Sequence, residues 1–138
     1  MFNSYFENTY QMKSKVLLGI AIVVILFALK FMYTEGFKNP EGTDSFVLYY
    51  AEWCPHCQTV KPIFKSWGAD KGSIQVNGKT VFVGMVEADA QGSKEKMAGK
   101  NIRGYPTFML EKADGKVVEY TGERDVSGWE EFLKKNIQ

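Results

Sequence analysis

The sequence predicts a layered α/β domain behind one transmembrane helix. Three observations carry this. An uncharged apolar run occupies the N-terminal third, short apolar runs alternate with helix-spaced segments over the remainder, and two Xaa-Gly dipeptides punctuate that remainder as hairpin turns. The chain has 138 residues, 45% hydrophobic and 24% charged, with a formal net charge of +1. That balance excludes the basic excess expected of a nucleic-acid binder, so no nucleic-acid partner is expected. With two cysteines and one histidine, a disulfide-stapled scaffold, a four-cysteine zinc site and a multi-histidine metal centre are excluded on one chain, and no metal site is expected.

Residues 1–15 read as an N-terminal tail. Val16 to Leu29 carries no charge; Lys30 interrupts, and Phe31, Met32 and Tyr33 continue the run. As a helix, 16–33 spans roughly 27 Å, close to a hydrocarbon core of about 30 Å. Lys30 lies near one end, where its ammonium can snorkel, and Tyr33 suits the interfacial belt. The run is apolar all round, which disfavours a buried amphipathic helix. A cleaved signal peptide is the stronger alternative, since Lys13 and Lys15 precede the run, but Thr34-Glu35-Gly36 is a poor cleavage site. We expect an uncleaved signal anchor. Flanking lysines tie, two on each side; the free amino terminus, with Glu35, Glu41 and Asp44 beyond the run, tips the expectation toward a cytoplasmic N-terminus. The C-terminal domain is then extracytoplasmic, in an endoplasmic-reticulum lumen, a periplasm or the exterior.

Residues 34–45 read as a linker, and 46–138 as one domain. From Phe37 onward the 102 residues hold 14 basic and 14 acidic side chains. Phe46–Tyr50 is a buried-strand candidate. Cys57–Trp67 places Val60, Ile63, Phe64 and Trp67 at helical spacing around Pro62, a kinked helix. Ile74–Val76 and Thr80–Val86 flank Asn77-Gly78, the strongest short hairpin signal. Ser93–Gly99 reads as a short polar helix, and Thr107–Glu111 and Val117–Thr121 flank Asp114-Gly115 as a second hairpin. Ser127 and Glu130 form a capping-box pattern before a last helix lined by Trp129, Phe132 and Leu133.

The chemistry lies in Trp53-Cys54-Pro55-His56-Cys57. A two-residue spacer at a helix start brings the sulfurs together where free backbone N–H groups and the helix dipole favour a thiolate at Cys54. Pro55 and His56 are the tuning candidates; His56 can add a donor or a charge. A thiolate attacks a disulfide and the second thiol resolves the mixed disulfide, so the motif specifies dithiol–disulfide exchange. Cys54 is expected exposed and Cys57 shielded. A half zinc site shared through a dimer and a purely structural disulfide remain alternatives. Haem attachment needs a histidine after the second cysteine, where Gln58 stands.

Phe46–Trp67 (FVLYYAEWCPHCQTVKPIFKSW) resembles the active-site strand, loop and helix of the thioredoxin superfamily, with Pro62 at the position of its helix proline. Ile102–Thr107 resembles the family's cis-proline loop in its protein disulfide isomerase form, and Tyr120-Thr121-Gly122-Glu123-Arg124 the stretch before the last isomerase helix. The resemblance implies a thioredoxin-like fold, a central mixed sheet flanked by helices, and, with the apolar run, a membrane-anchored thiol–disulfide oxidoreductase acting on cysteine-containing proteins. It implies Cys54 as nucleophile, Cys57 as resolving thiol, and no cofactor beyond the Cys54–Cys57 disulfide. An external thiol or disulfide partner would recycle the pair. It also implies a cis Tyr105–Pro106 bond, an extended substrate on the Tyr105 backbone beside Trp53 and Pro106, and Arg124 lowering the pKa of Cys57. Taken without the resemblance, Pro106 is a trans proline at an edge strand and Arg124 a solvated surface residue. The Pro-His spacer resembles that of strongly oxidising bacterial members. The other reading is a peptide-binding or chaperone-like module in which Trp53, Tyr105 and Pro106 matter more than Cys54.

Two positions depart from the family pattern. Leu48 stands where the family has a buried acid, six residues before the first cysteine, and Met85 where its partner lysine is expected. A hydrophobic pair in place of a buried ion pair is structurally sensible, but removes the acid that assists proton transfer at Cys57. Glu52 is the remaining nearby carboxylate and is expected to face solvent. The hairpin at Asn77-Gly78 is an insertion relative to the shortest members.

Overall fold

The computed structural model describes residues 2–33 and 42–138, with side chains in the first helix described from 13 to 29. The chain divides into two compact units, Met1–Gly36 and Phe37–Gln138. In the first, α1 runs from Phe2 to Tyr33. The stretch expected as a tail is therefore helical from Phe2: no proline or glycine lies between Phe2 and Val16 to stop propagation from the apolar run. Every side chain from Lys13 to Leu29 is exposed. Among the described residues no helix is long and apolar enough to cross a membrane. The side chains of Lys30 to Tyr33, which complete the expected span, lie outside the described residues, as do residues 34–41 of the expected linker.

The second unit is a five-stranded mixed sheet in the order β2-β3-β1-β4-β5. Its strands are β1 (Ser45–Tyr50), β2 (Ser73–Val76), β3 (Lys79–Glu87), β4 (Thr107–Glu111) and β5 (Val117–Tyr120). The β1–β3 pair is parallel; the other three pairs are antiparallel. The crossover between the parallel strands includes α2 (Pro55–Trp67), while α3 (Ser93–Met97) and α4 (Val126–Asn136) follow β3 and β5. β1 is central and reads as a continuous apolar run because it is covered on both faces. Its alternate residues supply two cores. Phe46 and Leu48 join Val60 and Phe64 of α2 and Trp129 and Leu133 of α4. Val47 and Tyr49 join Val86 and Met109, with Met97, Ile102 and Tyr105 against them.

The first core is a block of rings: Phe64 stands edge-on to Trp129 at 5.1 Å, and Phe46 stacks on Phe108 at 6.0 Å. Such pairs add about 0.5–1.5 kcal/mol beyond their buried area. They fix α2 against the sheet, and α2 carries the cysteines.

Asn77 and Gly78 both have positive φ, 49° and 76°, as the predicted two-residue turn requires. The Asn77 amide also donates to the carbonyls of Lys134 and Ile137, at 2.8 and 2.7 Å. The inserted hairpin thus satisfies the free carbonyls at the end of α4. The second turn is Ala113–Gly115, closed by a Lys112 N–H to Lys116 carbonyl bond of 2.8 Å, with Gly115 left-handed.

Two helix starts differ from the sequence expectation. α2 begins at Pro55 rather than Cys57, because proline is favoured in the first turn, where its missing N–H costs nothing. The helix continues through Pro62. In α4 the cap is Asp125, not Ser127: its carboxylate accepts from the Gly128 N–H at 2.8 Å. Ser127 is drawn into the helix, and Glu130 faces the Trp67 indole instead, at 3.3 Å.

Candidate active site

The site forms where β1 ends and α2 begins. Buried Ala51 accepts the Cys54 N–H at 3.1 Å, closing the turn through Glu52 and Trp53. Cys54 is the N-cap of α2, extended at φ −86°, ψ 116°, and its Sγ accepts the Cys57 N–H at 3.3 Å. The sulfur therefore does what a serine or aspartate oxygen does at an ordinary cap. A thiolate there gains more from the same N–H and from the helix dipole than a thiol does.

Both cysteines are free thiols and both are buried. Cys57 is 0% exposed and Cys54 5%. The order matches the expectation, but Cys54 is not the exposed thiol the motif suggested: Ala51, Tyr50, Ala88 and Tyr105 close around the pair. Burial, and secondarily a hydrogen bond with Cys54, push the Cys57 thiol up to about 11. A hydrogen bond with the Ala51 backbone opposes the shift, and the Arg124 charge opposes it less strongly.

The Tyr105–Pro106 peptide bond is cis. Its loop stands over the cysteines, and the Cys54 thiol donates to the Tyr105 carbonyl at 3.5 Å. The Tyr105 ring meets Trp53 edge-on, centroids 6.1 Å apart. Trp53 is 69% exposed, with its indole N–H donating to Asp89 at 3.0 Å. An exposed indole held at one end is thus set beside Cys54. His56 is exposed, one residue into α2. Among the described residues its side chain makes no hydrogen bond. Arg124 is exposed and borders a cleft of about 230 Å³ with Pro106, Phe108, Tyr120 and Gly122.

Glu52 faces solvent, ion-paired to Lys61, whose ammonium lies 4.6 Å over the Tyr50 ring. The Lys61 bond holds its carboxyl below the usual range. Among the described residues no group of three or more histidine, cysteine or acidic side chains is placed to hold a metal. Chemically, the arrangement offers two adjacent sulfurs at a helix N-terminus, one nearer the surface and bonded to a backbone carbonyl, next to an exposed indole. Sequence reasoning missed the Ala51 carbonyl, Asp89 and the setting of Tyr120. Ala51 and Asp89 carry no local pattern; Tyr120 stood within a recognised stretch, but its contacts come from the far side of the loop.

The thioredoxin family model matches residues 30–135. Protein disulfide-isomerase of Hordeum vulgare is 30% identical over 111 residues, covering 77% of this chain and 21% of that protein. Protein disulfide-isomerase TMX3 of Homo sapiens is 37% identical over 81 residues, covering 58% of this chain and 17% of that protein. The chain spans about a fifth of the length of these curated relatives. Among solved structures, human ERp44 superposes with a TM-score of 0.54 at 27% identity, covering 69% of this chain and 28% of that one.

Proposed function

Because the chain belongs to the thioredoxin family, with protein disulfide-isomerase relatives, we propose that it is a membrane-anchored dithiol–disulfide oxidoreductase acting on protein cysteines. The observation that carries the reading is the Cys57 N–H on Cys54 Sγ at 3.3 Å, at the start of a helix, with Cys57 sealed beneath. The Cys54 thiolate attacks one sulfur of a substrate disulfide; that S–S bond breaks and the departing sulfur leaves as a thiolate that takes a proton. Cys57, once deprotonated, attacks Cys54 Sγ, forming the Cys54–Cys57 disulfide and releasing the second substrate thiol. Run backwards, the same steps oxidise a substrate dithiol. No other redox group takes part. An external thiol or disulfide returns the pair to its starting state, and residues 16–33 hold the chain to a membrane with the domain outside the cytosol.

Trp53, exposed beside Tyr105, supports a second reading, a module that only holds extended peptides. Both are tested with the purified full chain in detergent, by insulin reduction and by refolding of scrambled ribonuclease. The oxidoreductase reading requires turnover in at least one assay and its loss in Cys54→Ser. Equal activity of that variant would favour the holding module.

A further inference from the structure

The chain enters α2 through Glu52 and Trp53, and polar side chains of the helix grip that entry. Gln58, four residues past the Cys54 cap, donates its amide to the Glu52 carbonyl at 2.5 Å and reaches the Glu52 carboxylate at 3.5 Å. Lys61, about one turn further along, ion-pairs with the same carboxylate. Its ammonium also lies 4.6 Å over the Tyr50 ring, and Tyr50 packs against Ala51, Cys54 and Cys57. Successive turns of α2 thus hold both the backbone and the side chain of one loop residue. The Glu52 carbonyl shares a planar peptide unit with the Trp53 N–H, so fixing it orients the chain one residue before Cys54. At many helix starts an apolar pair across the cap sets this entry angle. Here the pair is polar. The Lys61 bond also keeps the Glu52 carboxyl below its usual range, so the grip stays charged at neutral pH.

We propose that Gln58 and Lys61 are positioning residues: through Glu52 they form a polar staple that keeps Cys54 aligned over Cys57 while Cys54 is bonded to a substrate sulfur. The inference rests on the oxidoreductase reading and concerns its second step. In the dithiol, Cys54 Sγ is held twice, accepting the Cys57 N–H and donating to the Tyr105 carbonyl. In the mixed disulfide the thiol proton is gone, and with it the bond to Tyr105. The uncharged disulfide sulfur is also a weaker acceptor of the Cys57 N–H than a thiolate. What still holds Cys54 is the Ala51 carbonyl on its own N–H and the staple on the residues before it. Cys57 is fixed by its burial in α2. Kept in register, the two sulfurs react as close neighbours. The Cys57 thiolate forms the Cys54–Cys57 bond, the bond from Cys54 to the substrate breaks, and the substrate sulfur leaves as a thiolate that takes a proton. The first step, Cys54 on a substrate disulfide, needs no alignment with Cys57.

The two steps separate in stopped flow. The reduced full-length chain in detergent is mixed with dipyridyl disulfide, a neutral reagent whose encounter with the chain does not depend on protein charge. Attack by Cys54 releases one equivalent of thiopyridone at a rate proportional to reagent; attack by Cys57 releases the second at a rate independent of it. Gln58→Ala and Lys61→Met should each slow the second phase about threefold or more. The first phase should keep the wild-type rate, and near-ultraviolet circular dichroism should be unchanged. The charge swap Glu52→Lys with Lys61→Glu should recover most of the second-phase rate lost in Lys61→Met. General loosening of the site would slow both phases together and would not be rescued by the swap. A wild-type second phase in both single variants, equal slowing of the two phases, or a swap no faster than Lys61→Met would each overturn the proposal and leave the oxidoreductase reading standing. A wild-type chain that releases no second equivalent would overturn the oxidoreductase reading and this inference together.

Discussion

Leu48 of β1 and Met85 of β3 are register partners across the parallel pair, Leu48 wholly buried and Met85 packed against the same core. The two positions that depart from the family pattern are therefore paired in space. An apolar couple fills a place where a lone charge would be costly. Neither side chain can take a proton from Cys57; what favours its ionisation is the Ala51 backbone bond first and the Arg124 charge after it.

Leu48→Glu places one unpaired carboxylate in that interior. We expect a loss of about 3 kcal/mol or more in urea unfolding. Adding Met85→Lys should recover a substantial part of it, since the register puts the new charges side by side. Additive destabilisation in the double variant would mean that the two side chains do not share an environment.

The start of α4 separates two capping schemes. Asp125→Ala removes the carboxylate that accepts the Gly128 N–H and should cost about 1 kcal/mol. Ser127→Ala should change stability by less than about 0.5 kcal/mol. Thermal or urea unfolding of the two variants decides, and the reverse ranking would restore the capping box read from the sequence.

That reversal illustrates what the sequence discloses. The apolar β1 run and the Asn77-Gly78 and Asp114-Gly115 turns were legible because each signal is local: periodicity and positive φ need no distant partner. The closeness of Cys54 and Cys57 at the start of α2 was legible because a two-residue spacing is itself local. The α4 cap was not, since aspartate and serine two residues apart are equivalent caps until Tyr120 and Gly128 fix the entry of the chain. Nor was the burial of Cys54, which depends on Tyr105 folding back over it from 51 residues away. The Asn77 side chain reaching the end of α4 is likewise a tertiary fact that turned a plain hairpin into a helix cap.

His56 lies exposed within the first turn of α2, so packing gives it no hold on the disulfide. His56→Ala should make the pair more reducing by roughly 30 mV, about tenfold in the equilibrium with glutathione, with unfolding midpoints unchanged. An unaltered potential would leave the helix N-terminus alone to stabilise the Cys54 thiolate.

Cys57 gives a pH dependence whose sign can be worked out. Its thiol is raised from an ordinary 9.0 to about 11, chiefly by burial. In a Cys54→Ser background, alkylation of Cys57 should be slow at pH 8 and climb about tenfold per pH unit toward the thiol pKa, because only the thiolate reacts. In the reduced wild type, Cys54 should be labelled first, being the less completely covered sulfur. Stability follows the same proton. Above 9.0 the unfolded chain has lost it while the folded chain retains it to about 11. The unfolded state then binds fewer protons, and stability falls as pH rises through that window. Cys57→Ala should flatten this part of the stability profile, measured by urea unfolding under reducing conditions, and leave the acid side unchanged. A profile as steep in Cys57→Ala as in wild type would assign the alkaline loss to other groups. Tyr49 is the first of these, its hydroxyl also raised by burial and bonded to Glu111 at 2.5 Å.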